Sequence, residues 1–403
     1  MVATGTLVTL LIAGVASLFM AWAIGAGSSG STPFAPAVGA NAISVMRAGF
    51  VVGILGLLGA FLQGANVTEA VGTELLIGAP LTPTAAIVGL LTAAVLVAIG
   101  VFAGYPIATA FTVTGAVVGA GLALGRGPAI PKYQEIGLLW VLVPFVGGGI
   151  AYATAKLLRD ERVSEAVAVP VLAGLVGVVL ANIEFVLLGE PGEALGLAAA
   201  AARVILEGTT VVTPRFLVAL KLALTLVFAL WVMAMLRWDI TNDPEAGQRH
   251  FLLALGGLVA FSAGGSQVGL ALGPLLPLLG PDTVSVPLPA LLFVGGLGLL
   301  VGSWTGAPRM IKALAQDYSS LGPRRSIAAL IPSFAIAQTA VFVGVPVSFN
   351  EIIVSAIIGS GYAAGGSGVS VTKMGYTVLA WIGSLVLAFA VSYGLFLAVD
   401  GLL

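Results

Sequence analysis

The chain has 403 residues, of which 59% are hydrophobic and only 8% charged, and its formal net charge is −1. Because so few charged residues cannot cover a soluble surface of this size, the composition predicts an all-α polytopic membrane protein. The lack of cysteine and the single histidine, His250, argue against disulfides and against a metal or catalytic centre, and the absence of a basic run argues against nucleic-acid binding.

The first predicted span begins near residue 5 and stays apolar to about Ile24. It runs into the glycine- and serine-rich segment 25–33, which a continuous helix tolerates poorly. A cleaved signal peptide is the alternative, but the segment lacks a basic start. We therefore expect a helix that unwinds at membrane depth. Exposed backbone is tolerated there only against protein or a wet cavity, so the break indicates a binding site.

Further apolar stretches follow, each close to the ~20 residues that a helix needs to cross a bilayer. They lie near residues 48–64, 85–104, 105–125, 137–156, 166–188, 215–237, 251–280, 287–305, 327–343, 345–366 and 374–397. The stretch at 251–280 is interrupted at 264–274, as the first span is. The pattern predicts about twelve crossings.

Segment 103–125 is repeated at 343–365 with a constant offset of 240 residues. The matching pairs are Gly104/Gly344, Pro106/Pro346, Ala116/Ala356, Gly119/Gly359, Gly121/Gly361, Ala123/Ala363 and Gly125/Gly365. The two interrupted spans also correspond, with Ser28 opposite Ser266. A duplicated apolar segment broken by Gly-x-Pro is typical of transporters built from two related halves. We expect a first repeat at 1–158, linking helices and loops at 159–250, and a second repeat at 251–403.

The charges of the loops predict the orientation of the two repeats. Loop 66–84 carries two glutamates and no basic residue, whereas loop 306–326 carries Arg309, Lys312, Arg324 and Arg325. Because basic loops face the cytoplasm, these loops should lie on opposite sides, which makes the repeat inverted and both termini extracellular. Arg126 and Lys132 fall outside, against the rule. The sequence leaves open whether residues 195–212 cross the membrane or lie on it.

At the duplicated breaks the sequence resembles the inorganic phosphate transporter (PiT) family. Segments 104–112 and 344–352 are similar to its Pro-Val-Ser-Thr-Thr-His element, and segments 26–36 and 264–274 resemble its paired Gly-Ala-Asn-Asp motifs. Segment 61–72 resembles the family as well. The resemblance implies a multi-pass secondary transporter of a prokaryotic-type cell membrane, with interrupted helices that meet at the membrane midplane. It also implies a homodimer.

The motifs depart from the family at charged positions. The aspartates that help to bind the coupling sodium in the family fall on Ser29 and Gln267, and the asparagines fall on Ser28 and Ser266. In the second break, Ser-Thr-Thr-His becomes Ser348, Phe349, Asn350 and Glu351. The family includes a sulfate-permease branch, which this chemistry resembles more closely.

We predict a substrate site made of hydrogen-bond donors without an ionised aspartate. Its members are hydroxyls and amides at the breaks, namely Ser28, Ser29, Ser31, Thr32, Thr109, Thr112, Ser266, Gln267, Ser348 and Asn350. Sulfate needs donors only, whereas phosphate retains a proton at neutral pH and gains from an acceptor, so the donor set favours sulfate. The helix starts would add backbone N–H groups. Any single hydroxyl could instead bond back to its own helical turn.

Glu351 is the carboxylate of the second break, and it precedes the apolar run 352–358. A carboxylate at membrane depth is costly and usually functional, so we expect it to carry a coupling proton. The alternative is a glutamate that complements the dipole at a helix start.

Secondary transport of a tetrahedral oxyanion, sulfate before phosphate, is therefore the predicted function, with H⁺ as the coupling ion. The alternatives are a sodium- or proton-coupled phosphate transporter and an uncoupled anion channel or facilitator. An enzyme is disfavoured because the sequence offers no set of nucleophile, base and orienting residue, and no cofactor is expected. The sequence leaves open the anion among sulfate, thiosulfate, molybdate and phosphate, the coupling ion and stoichiometry, and the direction of flux.

Overall fold

A computed structural model describes residues 4–190, 193–207, 213–280, 283–318, 321–366 and 369–401. Within these ranges the chain forms sixteen α-helices and two short antiparallel ribbons of two strands each. The fold is therefore all-α, as the composition predicts.

Helices and strands are numbered in chain order. The helices are α1 (Thr4–Ile24), α2 (Ala35–Gly39), α3 (Val45–Gln63), α4 (Ala65–Thr73), α5 (Pro83–Ala103), α6 (Thr109–Ala123), α7 (Ile130–Leu157), α8 (Glu165–Asn182), α9 (Leu197–Ile205), α10 (Pro214–Asn242), α11 (Pro244–Leu272), α12 (Leu288–Thr305), α13 (Ala307–Asp317), α14 (Pro323–Val343), α15 (Phe349–Tyr362) and α16 (Val371–Asp400). The strands are β1 (Leu76–Ile77), β2 (Gly127–Pro128), β3 (Glu184–Phe185) and β4 (Leu195–Gly196).

Ten helices of the described ranges are long and apolar enough to cross a membrane. They are α1 with the turn that follows it, α3, α5, α7, α8, α10, α11 with the turn that follows it, α12, α14 and α16. The expected number of about twelve crossings needs correction, because the stretches 105–125 and 345–366 form helices of only 15 and 14 residues. At 1.5 Å per residue each is about 22 Å long, shorter than the bilayer core of about 30 Å.

The two short helices belong to helical hairpins. Helix α5 ends at Gly104 and α14 at Gly344, and both glycines adopt left-handed backbone conformations, with φ of 75° and 71°. Residues without a side chain adopt this conformation at little cost, so each Gly-x-Pro motif can turn the chain sharply. Strand β1, before α5, pairs with β2, after α6, and so closes the base of the first hairpin. The predicted breaks are thus the tips of two hairpins.

The hairpins enter from opposite ends of α7. At the base of the first, Lys132 near the start of α7 pairs with Glu74 at 2.9 Å. At the base of the second, Arg324 pairs with Glu165, just beyond the end of α7. Helix α7 has 28 residues and a length of about 42 Å. The two loops with opposite charge therefore lie at opposite ends of the molecule, as predicted, while the inverted symmetry itself and the side that faces the cytoplasm stay predictions.

The basic residues that violate the positive-inside rule are held by local partners. Lys132 also contacts Glu135 at 3.1 Å, and Arg126 donates to the carbonyl of Pro80 at 3.4 Å. Because Lys132 is paired with two carboxylates, it contributes little net positive charge to its loop.

The two predicted helix interruptions differ in the structure. Helix α1 ends at Ile24 and passes through a π-helical turn, Gly25–Ser29, into a bend, so the first interruption is confirmed. The second was predicted at 264–274, but α11 is regular to Leu272 and only then tightens into a 3₁₀ turn, Gly273–Leu278. The glycines at 264, 265 and 269 serve close packing against α3 and α4 instead of a break.

The linking region consists of α8 and α10, which pack together, with the short helix α9 against them. Helix α9 has nine residues, too few to cross a bilayer, and its Val204 and Ile205 are exposed. Of the segment 195–212, residues 208–212 lie outside the described ranges. The division at 158 and 250 stays a prediction.

Helices α3 and α11 approach each other at reciprocal glycines. A methyl group on Gly59 would overlap the backbone carbonyl of Phe261, and one on Gly264 would overlap that of Gly56. Small residues that bring helix backbones together in this way are the main packing device in a bilayer.

We predict that Gly59→Ala lowers the thermal stability of the protein, because two packed helices must separate at a cost of about 1–3 kcal/mol. Gly14→Ala in α1, where an added methyl group meets nothing within 4 Å, is the matched control and should leave the stability unchanged or slightly higher. The melting temperature of each variant in detergent, monitored by size-exclusion chromatography, measures the change in stability. Equal melting temperatures for the two variants would contradict the contact.

Candidate functional site

Four chain segments meet in the interior. They are the turn after α1, the tip and start of α6, the last two turns of α11, and the tip and start of α15. Their predicted site residues are at most 2% exposed, namely Ser28, Ser29, Ser31, Thr32, Thr109, Thr112, Ser266, Gln267, Ser348 and Asn350. We call this set of side chains the polar ring.

One side of the polar ring is built on Thr109, the first residue of α6. Its hydroxyl donates to Gln267 Oε1 at 2.9 Å and lies 3.3 Å from the hydroxyl of Ser28. This contact joins three segments that are distant in sequence.

Two amides close the other side. Gln267 Nε2 donates to the carbonyl of Val347 at 2.6 Å, and so ties α11 to the second hairpin tip. Asn350 Nδ2 donates to the carbonyls of Gly27 at 2.9 Å and Ile107 at 2.6 Å. The free carbonyls that each interruption creates are thus bonded by side chains from another segment, as buried backbone requires.

Three hydroxyls of the predicted set bond locally. Ser31 and Thr32 both donate to the carbonyl of Ser28, at 3.2 and 3.0 Å, and Thr112 donates to Ala108 at 3.0 Å. Their hydrogens are used by their own turns, so these residues shape the ring and are not free donors.

Other polar atoms of the ring are buried without a hydrogen-bond partner. They are the hydroxyls of Ser29, Ser266 and Ser348, and Asn350 Oδ1. The orientation of the Asn350 amide follows from its contacts, because two carbonyl oxygens can only face its nitrogen. Its oxygen is therefore a free acceptor. Buried polar atoms left unpaired cost free energy, so this group is a candidate for ligand contact.

Glu351 follows Asn350, is 1% exposed, and has an unpartnered Oε2. The spacing from Ser348 to Glu351 matches a helix capping box, but Ser348 makes no capping hydrogen bond. In the described part of the chain, none of the ion pairs includes Glu351. Neither a capping contact nor a neighbouring cation accounts for this carboxyl group.

Two tryptophans hold the hairpin tips, and sequence reasoning missed them. Trp140 Nε1 donates to the carbonyl of Pro346 and Trp381 Nε1 to that of Pro106, both at 2.9 Å. Each is the eleventh residue of a long helix, α7 or α16, so each tip lies roughly 15 Å from that helix's first residue. Both tips therefore lie at membrane depth. Their separation of 381 − 140 = 241 residues, close to the repeat offset, was the available signal.

The polar ring suits an anion more than a metal ion. The helix starts of α6 and α15 point their N–H groups into the tips, and each helix dipole acts as about half a positive charge. Within the described residues, no group of three or more His, Cys, Asp or Glu could hold a metal ion. Hydroxyl donors and helix starts together can hold a tetrahedral oxyanion without a salt bridge.

Comparisons with known proteins agree on one family. The sequence model of the phosphate transporter family matches residues 24–392. A candidate phosphate permease of Thermococcus kodakarensis is 26% identical over 411 residues, with 96% of this chain and 97% of that protein covered. A candidate phosphate permease of Pyrococcus abyssi is also 26% identical, with 92% and 93% covered.

A solved structure is similar over nearly the whole chain. The structure of the sodium-dependent phosphate transporter aligns with a TM-score of 0.80 and 23% identity, and covers 98% of this chain and 100% of its own. At this identity the likeness shows the shared fold.

We predict that Gln267→Leu destabilises the protein, because it leaves the carbonyl of Val347 buried without a partner, at about 1–3 kcal/mol, and leaves Thr109 only the hydroxyl of Ser28, 3.3 Å away. Gln134→Leu, on the exposed part of α7, is the matched control. Thermal unfolding in detergent measures both variants. If Gln267→Leu unfolded at the same temperature as Gln134→Leu, the amide would not join the two halves.

Proposed function

This chain belongs to the phosphate transporter family, and from that premise we propose that it carries inorganic phosphate across a membrane as a secondary transporter, with the polar ring as its substrate site. The family match and the phosphate permeases among its relatives support phosphate over the sulfate that the donor-rich motifs predict.

The free oxygen of Asn350 is the observation that carries this proposal. From the sequence we expected donors only, which favours sulfate, but Asn350 Oδ1 is a fully buried acceptor without a partner. A fully ionised sulfate has no hydrogen to offer this oxygen, whereas a phosphate that keeps one proton can donate to it. The hydroxyls of Ser29, Ser266 and Ser348 supply donors to the remaining phosphate oxygens.

Burial of the ring supports alternating access over an open pore. Its side chains are at most 2% exposed, so an anion held there reaches neither side of the membrane. Because the two hairpin tips come from opposite ends of α7, withdrawing one tip at a time would open the ring to one side at a time. An uncoupled channel would need a continuous wet path instead.

We also propose that Glu351 couples phosphate transport to the movement of protons. Glu351 is the carboxyl group next to the ring, and it has neither a cation nor a capping partner to hold its charge. A buried carboxyl group of this kind can bind and release a proton as access alternates. The structurally similar transporter is named as sodium-dependent. Sodium is therefore the second candidate for the coupling ion. A homodimer in a cell membrane, with extracellular termini, stays our prediction.

Phosphate uptake into proteoliposomes tests the substrate. Ser348→Ala removes a donor that makes no capping bond, and we expect the KM for phosphate to rise roughly 10–100-fold, since a hydrogen bond to a charged group contributes about 1.5–3 kcal/mol. Ser360→Ala on the same helix is the matched control, because its hydroxyl donates to Ile357 within its own turn.

An excess of sulfate should leave phosphate uptake nearly unchanged. Labelled sulfate that enters faster than phosphate would overturn the choice of substrate. Equal KM values for the Ser348 and Ser360 variants would remove the ring from the substrate path.

Uptake by Glu351→Gln tests the coupling ion. We expect the variant to lose the acceleration of phosphate uptake that an inward proton gradient gives the unmodified protein, because glutamine cannot carry the proton. Glu161→Gln, which changes an exposed glutamate, should keep it. If a sodium gradient alone drives uptake, the proton role is wrong while the choice of phosphate stands.

A further inference from the structure

A cavity lies beside the polar ring, between α6, α7, α15 and α16. Its volume is about 550 Å³, and aromatic and aliphatic side chains form most of its wall. The lining that matters here is Phe111, Trp140, Phe145, Glu351, Trp381 and Ile382. Cavities of this size that combine an apolar wall with one polar group are typical small-molecule sites.

The cavity faces the lipid. Val141 and Phe145 in the middle of α7, and Ile382 of α16, are 62%, 74% and 53% exposed, and all three contribute to the cavity wall. Both helices have the length and composition of membrane spans. The exposed side chains sit near the middle of α7, where acyl chains surround the protein, so a ligand can enter sideways from the bilayer.

Glu351 gives the cavity its polarity. Among the described residues that line it, Glu351 is the only ionisable one. Its Oε2 is buried without a partner, and none of the ion pairs of the described residues includes Glu351. An ammonium or phosphonium group that entered would give this carboxyl group its counter-charge.

Aromatic rings strengthen the case for a cation. Trp140 stacks on Phe111 with ring centroids 3.8 Å apart, and Trp381 lines the cavity as well. The faces of tryptophan and phenylalanine attract a cation, and the attraction grows where water is excluded. A neutral lipid tail would gain nothing from the carboxyl group.

We propose that this cavity is a lipid-facing binding site for a hydrophobic monovalent cation, whose charge pairs with Glu351 and whose body packs against Trp140 and Trp381. The same tryptophans hold the tips of both hairpins through Pro346 and Pro106. A bound cation therefore restrains both hairpin tips and favours the conformation in which the polar ring is closed to both sides of the membrane. The inference concerns a site separate from the phosphate ring and needs no particular transported anion.

Binding of tetraphenylphosphonium to the purified protein in lipid nanodiscs tests the proposal. We expect saturable binding of the labelled cation, quenching of tryptophan fluorescence, and a rise in melting temperature, since a ligand that binds only the folded state stabilises it. The anion tetraphenylborate, which has the same shape, should not bind in this way.

Two variants and one control test whether binding needs the carboxyl group of Glu351 and the space of the cavity. Glu351→Gln should weaken tetraphenylphosphonium binding at least 10-fold, and Val378→Trp, which fills the cavity from the partly exposed face of α16, should abolish it. Glu161→Gln should bind as the unmodified protein does. Unchanged affinity in Glu351→Gln, equal binding of tetraphenylborate, or no saturable binding in nanodiscs would overturn the proposal. None of these readouts depends on phosphate uptake, so the two proposals fail separately.

Discussion

Every interruption of a helix inside a membrane exposes backbone carbonyls and N–H groups that lipid cannot satisfy, and this constraint organises the protein. In this protein, side chains from distant segments form hydrogen bonds with the exposed carbonyls. Carbonyls of the first half, at Gly27 and Ile107, accept from Asn350 of the second half, while the carbonyl of Val347 accepts from Gln267. The breaks of the first predicted repeat therefore depend on an amide of the second repeat, whereas the carbonyl of Val347 is bonded from within the second repeat itself.

Two tryptophans satisfy carbonyls of the hairpin tips in the same way. Trp140 follows the first hairpin in sequence but bonds the tip of the second, and Trp381 follows the second but bonds the tip of the first. Because each bond spans the two halves, a movement of one tip strains contacts in the other half. Such reciprocal bonding couples the two tips physically, which is what alternation between two sides of a membrane requires.

The polar ring and the neighbouring cavity divide two chemical roles. The ring gathers hydroxyls, an amide oxygen and helix starts, all neutral groups that hold an anion without an opposite full charge. The single carboxyl group lies one residue away and faces the apolar cavity. Successive residues of a helix differ in direction by about 100°, so the amide of Asn350 reaches the breaks while Glu351 lines the cavity.

The sequence alone determined the class and the family, and it marked the two hairpin tips. Apolar length and scarce charge require a membrane protein, and the repeated Gly-x-Pro segments mark both hairpin tips, because a left-handed turn at Gly104 and Gly344 needs glycine in any fold. The sequence could not distinguish a crossing helix from half of a hairpin at 105–125 and 345–366, since hydropathy counts apolar residues and ignores where the chain turns back. It also placed a break at 264–274 that α11 does not have, because glycines that unwind a helix and glycines that let two helices touch have the same local pattern.

Only the tertiary structure decided which hydroxyls are free and which amide oxygen faces the ring. Ser31, Thr32 and Thr112 have the same chemistry as Ser29, Ser266 and Ser348, but the first three bond to their own turns and the others do not. The free acceptor of Asn350 depends on two carbonyls from distant segments that orient its amide. Hydrogen-bond partners hundreds of residues away are set by packing, so local sequence cannot reveal them.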